Sequence, residues 1–401
     1  MKWLPLALAG AVGLTVGAGV TIWLQDEPDE PTTTLEAAPV TTAAAPAPAT
    51  DDRRLLLWTA GGLPPGFPDG VRAIPGVVST TVVLGDLAEM TATYDTDGRV
   101  VDQTGAGFVV PLDALAIDPA TYPTFFDKGA QAELQALRPG EALLGESSAA
   151  LRRIGPGGAI ELSNGTRLTV GGVVDDAVVG AAEVVVSADT AAAVGISTER
   201  FMLLEYDGSK VEVDQAITAL APGVTVRFRT DEETPYLRHA DAVLPQVFIK
   251  EQFGEFSYTE DVDGGITVDP AWEAEHITSA TVPIIGELGP CHRAIIPRIE
   301  AAMRQLEQDN LAYLVDPAGY RGCHVPSLIP LGRTRGEPSS GPSRHSWGVA
   351  LDLNFSQSPT GVTSAVDPRL VDSMEQQGFR SGEQWLIPDP GHFEFYVPPG
   401  R

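Results

Sequence analysis

The chain has few cysteines, few histidines and little positive charge. Only Cys291 and Cys323 and six histidines stand among its 401 residues. Lys and Arg total 26 against 54 Asp and Glu, a formal net charge of -28, and no basic run occurs. Binding a phosphate backbone needs clustered cations, so a nucleic-acid partner is excluded. With 43% hydrophobic and 20% charged residues the chain is not disordered overall, and its length holds two or three domains.

What is present begins with an apolar N-terminus. From Trp3 to Leu24 the sequence carries no charge, and the first acid is Asp26. That is about the 20 residues a helix needs to cross a bilayer. We expect residues 1–24 to be an uncleaved transmembrane anchor. The alternative is a cleaved signal peptide, whose apolar core is shorter and ends in a small-x-small site. No cysteine follows the run, so it is not a lipoprotein signal. Lys2 on one side and "DEPDE" on the other orient the anchor N-terminus in, with the rest outside the cell. Residues 25–52, built of Pro, Thr, Ala and acids, read as an extended linker.

Residues 53–247 read as a strand-rich α+β domain. "GAIELSNGTRLTVGGVV" has two strand-like runs around Asn164-Gly165, a hairpin signal. "GESSAALRRIGPGG" predicts a short helix capped by Ser147 or Ser148. "VEVDQAITALAPGVTVRFRT" predicts a helix and then a strand through Val224, Val226 and Phe228. With no acid or nucleophile cluster visible around its only histidine, His239, the expected role is a spacer or a docking surface for a protein partner.

Residues 248–401 differ in kind. "CHRAIIPRIEAAMRQLEQDN" places Ile296, Ile299, Met303 and Leu306 at helical spacing, with Pro297 in the first turn. "VDPRLVDSMEQQGF" predicts a second helix with Asp367 as N-cap and Gly378-Phe379 as its stop. Two strands follow a different rule. In "SRHSWGVALDLNF", Val349, Leu351, Leu353 and Phe355 alternate with Ala350, Asp352 and Asn354. In "DPGHFEFYV", Phe393, Phe395 and Val397 alternate with His392, Glu394 and Tyr396. If the two strands are neighbours sharing a core face, Asp352 and His392 project to the same side, where His345 can reach them. Two imidazoles and one carboxylate with an open fourth position suit a catalytic zinc ion.

These motifs carry a family resemblance. "SRHSWGVALDLN" resembles the S-x-H-x-x-G-x-A-x-D signature of the zinc peptidases that include VanY-like D-alanyl-D-alanine carboxypeptidases and L-alanyl-D-glutamate endopeptidases. "DPGHFE" resembles their D-x-x-H-x-E close, and "GYRG" the upstream segment whose arginine faces the substrate carbonyl. The likeness implies an α+β domain with a central antiparallel sheet, of the hedgehog and D-Ala-D-Ala-peptidase group, acting on peptidoglycan stem peptides outside the cell membrane. It implies one Zn2+ per chain held by His345, Asp352 and His392. It makes Asp389 the acid-base, taking a proton from a water that the metal acidifies and passing it to the leaving amine. Arg321 would stabilise the oxyanion, Ser343 would support the ligand loop, and Glu394 would hold a ligand histidine. Asp in place of Glu at 389 leans toward the endopeptidase. The domain at 53–247 is in part similar to the extracellular core domains of MacB and FtsX-like permeases, without a catalytic motif.

Each residue has a plainer reading. Asp389 also suits a turn in "PDPG", Arg321 a surface ion pair, and Trp347 and Trp385 equally a core or a substrate wall. His276 reads as a surface residue. Cys291 and Cys323 are expected to form a disulfide outside the membrane. The alternative is a structural zinc site with His292 and His324. At the level of the whole chain, the rival to a peptidase is a catalytically silent wall-binding or signalling protein that keeps the fold.

Overall fold

The computed structural model describes residues 53–230, 238–261, 265–330, 339–363 and 366–396. The anchor expected at 1–24 and the linker at 25–52 lie outside the described residues. Among the described residues no helix is long and apolar enough to cross a membrane.

Alternation builds the first half. Leu112, Ala114 and Ala116 of the strand Val110–Ile117 fall in one buried cluster with Ala142, Leu144, Val184 and Val186, while Leu115 and Ile117 fall in another with Tyr122, Phe125 and Leu134. Period two thus makes this strand apolar on both faces. The result is a ten-stranded mixed sheet. The 18-residue strand Val77–Tyr94 pairs with Val110–Ile117 and, near its end, with Ala159–Leu162. That last pairing closes six strands into a ring around the first cluster. A third cluster sits under the helices Phe67–Arg72 and Lys210–Leu220.

The Asn164-Gly165 hairpin joins Ala159–Leu162 to Arg167–Val174, with Gly165 at φ 83°. The helix Lys210–Leu220 and the strand Val226–Arg229 also form. The cap expected from Ser147 or Ser148 does not. The helix is Glu146–Arg152 with Gly145 as N-cap, and the acceptor for the Ser147 N–H is the Asp176 carboxylate at 3.3 Å. Asp176, 29 residues further along the chain, takes the place of the local hydroxyl.

The second half packs on Ile296–Gln308, whose buried face is Ile299, Ala302, Met303 and Leu306, with Pro297 in the first turn. The helix Pro368–Gln376 crosses it, N-capped by Asp367, and Gly378 at φ 90° turns the chain into buried Phe379. A three-stranded antiparallel sheet carries Ala350–Asp352 at one edge, Asp389–Phe395 in the centre and Phe379–Gly382 at the other edge. The strand expected through Phe355 stops at Asp352. Asn354 takes φ 53° because its side chain bonds outward, donating to the Leu314 carbonyl at 2.8 Å and accepting the Asp316 N–H at 2.7 Å. Phe355 is left 37% exposed.

The helix Gln246–Phe253 spans the boundary expected at 247/248: Val247 and Phe248 pack with Ala181 of the first half, Ile249 and Phe253 with the second core. Around it lies a buried ion cluster. Glu183, fully buried, accepts from Arg152 at 2.6 Å, Lys250 at 2.8 Å and Gln246 at 2.6 Å. Lys250 also meets Glu255 at 3.0 Å. Burial alone would raise the Glu183 carboxyl, but Lys250 and Arg152 bring it below its ordinary value.

Glu183→Ala leaves two buried cations short of their counter-charge, so it is expected to cost about 3–5 kcal/mol. Urea unfolding of the purified chain checks this; a loss under 1 kcal/mol would mean the cluster is not what joins the halves.

Candidate metal centre

The register of one small sheet assembles the centre. Asp352 stands directly opposite His392 in the antiparallel pairing of Ala350–Asp352 with Asp389–Phe395. On its other side Asp352 pairs with Arg321 through Arg321 N–H to Asp352 O at 2.9 Å and the reverse bond at 3.2 Å. Opposed residues of antiparallel neighbours send their side chains to the same face. Arg321, Asp352 and His392 therefore form one row across three chain segments. Close backbone approach is needed, and Gly391 permits it: a Cβ there would lie 2.7 Å from the Leu353 carbonyl.

His345 enters from the short helical turn Arg344–Trp347. Ser343 caps that turn, its hydroxyl accepting the His345 N–H at 3.3 Å. Gly348 ends it at φ 67°, with the His292 N only 2.8 Å from where a Cβ would be. The Nδ1 of His345 faces the carbonyls of Gly322 and Cys323, each at 3.2 Å, which fixes the proton on Nδ1 and leaves Nε2 as an acceptor. Sequence reasoning missed these two carbonyls, because main-chain groups have no residue signature.

The Cys291–Cys323 disulfide holds this loop. It removes the alternative zinc site, since both sulfurs are spent. His292 goes instead to Phe253 O at 3.3 Å, and His324 to Glu273 at 2.7 Å. His276, expected at the surface, stacks on His292 at 5.4 Å and lies 4.8 Å from Trp272. Its helix, Pro270–His276, sets both Trp272 and His276 against His292 of the strand that bears Cys291, which the sequence around His276 does not reveal.

Three ligand atoms converge: His345 Nε2 lies 3.2 Å from His392 Nδ1 and 3.5 Å from Asp352 Oδ1, and His392 Nδ1 lies 3.0 Å from Asp352 Oδ1. A tetrahedral zinc with bonds of about 2.0–2.1 Å has ligand-to-ligand edges of roughly 3.3 Å. The spacing fits, and so does the chemistry, since two imidazole nitrogens and a carboxylate oxygen are a donor set that zinc takes. Among the described residues this is the one such group.

The supporting charges are ordered. Glu394, buried beside the ligands, has Oε1 3.5 Å from His392 Nε2 and Oε2 accepting the Val243 N–H at 2.8 Å. Burial would raise the Glu394 and Asp352 carboxyls; the imidazoles beside them hold both below their ordinary values, with Arg344 also lowering Glu394. Burial would lower His392, yet Asp352 and Glu394 raise it to about 10. Asp389 begins the central strand and is half-buried. Burial pushes its carboxyl up, against the pull of His392 and the Thr360 hydroxyl and with the help of the Asp352 charge. A raised carboxyl near the ligands suits proton transfer. Arg321 is exposed, its guanidinium 5.2 Å from the Phe355 ring. Trp347 is core, donating to Gly254 O at 3.1 Å, whereas the Trp385 ring lies 5.0 Å from that of His392 and walls the site. His239 is not solitary: it stacks on Phe201 at 5.2 Å, and the charges of Arg200, Arg238 and Arg229 add to burial in lowering its pKa.

Residues 337–395 match the model of a family described as D-alanyl-D-alanine carboxypeptidase. The C-terminal part resembles that family. The match takes in His345, Asp352, Asp389 and His392, and with the His–Asp–His group it supports a peptidase at the coarse level. No curated protein matches the chain. The periplasmic region of MacB from Actinobacillus actinomycetemcomitans is 9% identical, covering 45% of this chain and 90% of that one, with a TM-score of 0.31. The extracellular domain of the noncanonic ABC-type transporter YknZ from Gram-positive bacteria is 11% identical, covering 44% of this chain and 100% of that one, with a TM-score of 0.29. MacB is among the proteins whose extracellular domains part of residues 53–247 resembled in sequence, and scores so low carry no argument.

In the metal-free protein the raised His392 contributes stability below its ordinary pKa of about 6.5, lost as pH rises through about 10. A metal must displace that proton from Nδ1. Zinc binding at pH 7 is therefore expected to release about one proton and to tighten with rising pH. Calorimetry in two buffers of different protonation enthalpy measures it; heats independent of the buffer would contradict the assignment.

Proposed function

We propose that this chain is a membrane-anchored zinc metallopeptidase that faces the cell wall and hydrolyses an amide bond of peptidoglycan stem peptides. One observation carries the reading: the convergence of His345 Nε2, Asp352 Oδ1 and His392 Nδ1 near a half-buried carboxyl, Asp389, within the segment that matches the carboxypeptidase family. Zinc bound there would lower the pKa of a water toward about 7 and polarise the scissile carbonyl.

The remaining work falls to the protein. Asp389, raised by burial, accepts a proton as the amide is attacked and returns it to the leaving amine. Arg321, in the same row as Asp352, supplies positive charge where the oxyanion develops. Trp385 closes one side of the pocket against water and solvated competitors. The extracellular setting is supported by the disulfide, which persists in oxidising compartments, and by the uncharged run Trp3 to Leu24 as anchor. The half at 53–247 is read as a domain that docks a protein partner or spaces the peptidase from the membrane.

Purified chain digested against muropeptides and read by mass spectrometry tests this. Loss of a terminal D-Ala identifies a carboxypeptidase, and cleavage between L-Ala and D-Glu identifies the endopeptidase. Asp389→Ala is expected to keep zinc near one per chain while kcat/KM falls about 10²–10⁴-fold. Zinc-loaded wild type without any cleaved product would move the silent wall-binding reading to first place.

A further inference from the structure

The centre is not built from the C-terminal half alone. Residues 238–244, which leave the ten-stranded sheet and enter the helix Gln246–Phe253, touch it at two points. The Val243 N–H donates to Glu394 Oε2 at 2.8 Å, so the carboxylate that faces His392 Nε2 is oriented by this segment. Leu244 O accepts from Arg344 Nη2 at 2.8 Å, one residue before the ligand His345. Further along, Asp241 Oδ2 accepts the Leu386 N–H at 2.6 Å, and Arg227, on the edge strand Val226–Arg229, donates to Gln384 O. The Leu386 side chain packs on the apolar layer under Leu115, Val185 and Phe201. Trp385, between these two clamped residues, is the wall beside His392.

The segment is itself braced. Arg238 donates to Val243 O at 3.2 Å as well as to Ala242 O. Arg238, His239 and Arg344 line a cavity of about 90 Å³ behind it. Those arginines are engaged with main-chain carbonyls, so they stiffen the turn and are not free to receive a ligand. A buried carboxylate oxygen such as Glu394 Oε2 is costly without a donor. That donor comes from a segment whose position depends on the upstream sheet.

We propose that residues 241–243 are positioning residues of the metal centre: Asp241 sets Trp385 as a substrate wall, and the Val243 N–H sets Glu394 behind His392. The upstream half is then a component of the peptidase and its docking a means of regulating it. This rests on the peptidase reading above.

The test compares wild type, Asp241→Ala, Asp241→Asn and Val243→Pro in the full chain, measuring kcat and KM on muropeptides and zinc affinity by chelator competition. Asp241→Ala is expected to raise KM about tenfold, with kcat and zinc affinity held within about twofold, because only the wall is released. Asp241→Asn, which can still accept the Leu386 N–H, restores KM. Val243→Pro removes the donor to Glu394 and lowers zinc affinity roughly tenfold. Variants equal to wild type in all three quantities overturn the proposal. So does a parallel loss of kcat, KM and melting temperature that Asn does not rescue, since that is a plain stability effect. A wild type that neither binds zinc nor cleaves sinks the peptidase reading itself, and this inference with it.

Discussion

The constraint on which the centre depends is a hydrogen-bond register. Asp352 is paired on one side with Arg321 and on the other with His392, so three side chains of different chemistry emerge in a row from one face. A shift of one residue in the first pairing would send Arg321 and Asp352 to opposite faces, and in the second Asp352 and His392. The register is held by the apolar face beneath it, where Leu351 and Phe393 are also opposed and fully buried. Packing on one face thereby places chemistry on the other.

Around that row, the protein uses main-chain groups and charge to leave each ligand atom pointing inward. The loop tied down by the disulfide offers two carbonyls to His345 Nδ1, and Glu394 stands behind His392. Charge follows the same order. Asp352 stays ionised despite burial because imidazoles adjoin it, whereas Asp389, with more burial than compensation, has its carboxyl raised. Two aspartates in one site are thus shifted in opposite directions by their surroundings. The ion cluster at Glu183 and the turn through Asp241 and Val243 join the same site to the first half.

Much of the C-terminal half was legible because its signals are local. The helix over Ile296–Gln308, the Asp367 cap and the opposition of two alternating strands all follow from spacing that a short window contains. The motifs that carry Ser343, His345, Asp352, Asp389 and His392 are similarly short. Less was legible where the partner is remote. Asp176 in place of a serine cap, the early end of the strand at Asp352 and the stacking of His276 each depend on residues outside the local motif, 29, 40 and 16 positions away. The ring closure between Val77–Tyr94 and Ala159–Leu162 is likewise a long-range pairing that alternation permits but does not specify.

By itself, then, the sequence determined which residue types could bind a metal, which strands would face them and that two cysteines were available to pair. Period-two alternation and motif spacing act over a few residues, so they are written in the order of the chain. Tertiary structure alone decided that Arg321 joins the row, that carbonyls of Gly322 and Cys323 orient His345, and that Trp385 and Glu394 are held by the upstream half. Those contacts pair main-chain groups and distant side chains, and only the packing of the two cores brings them within hydrogen-bonding distance.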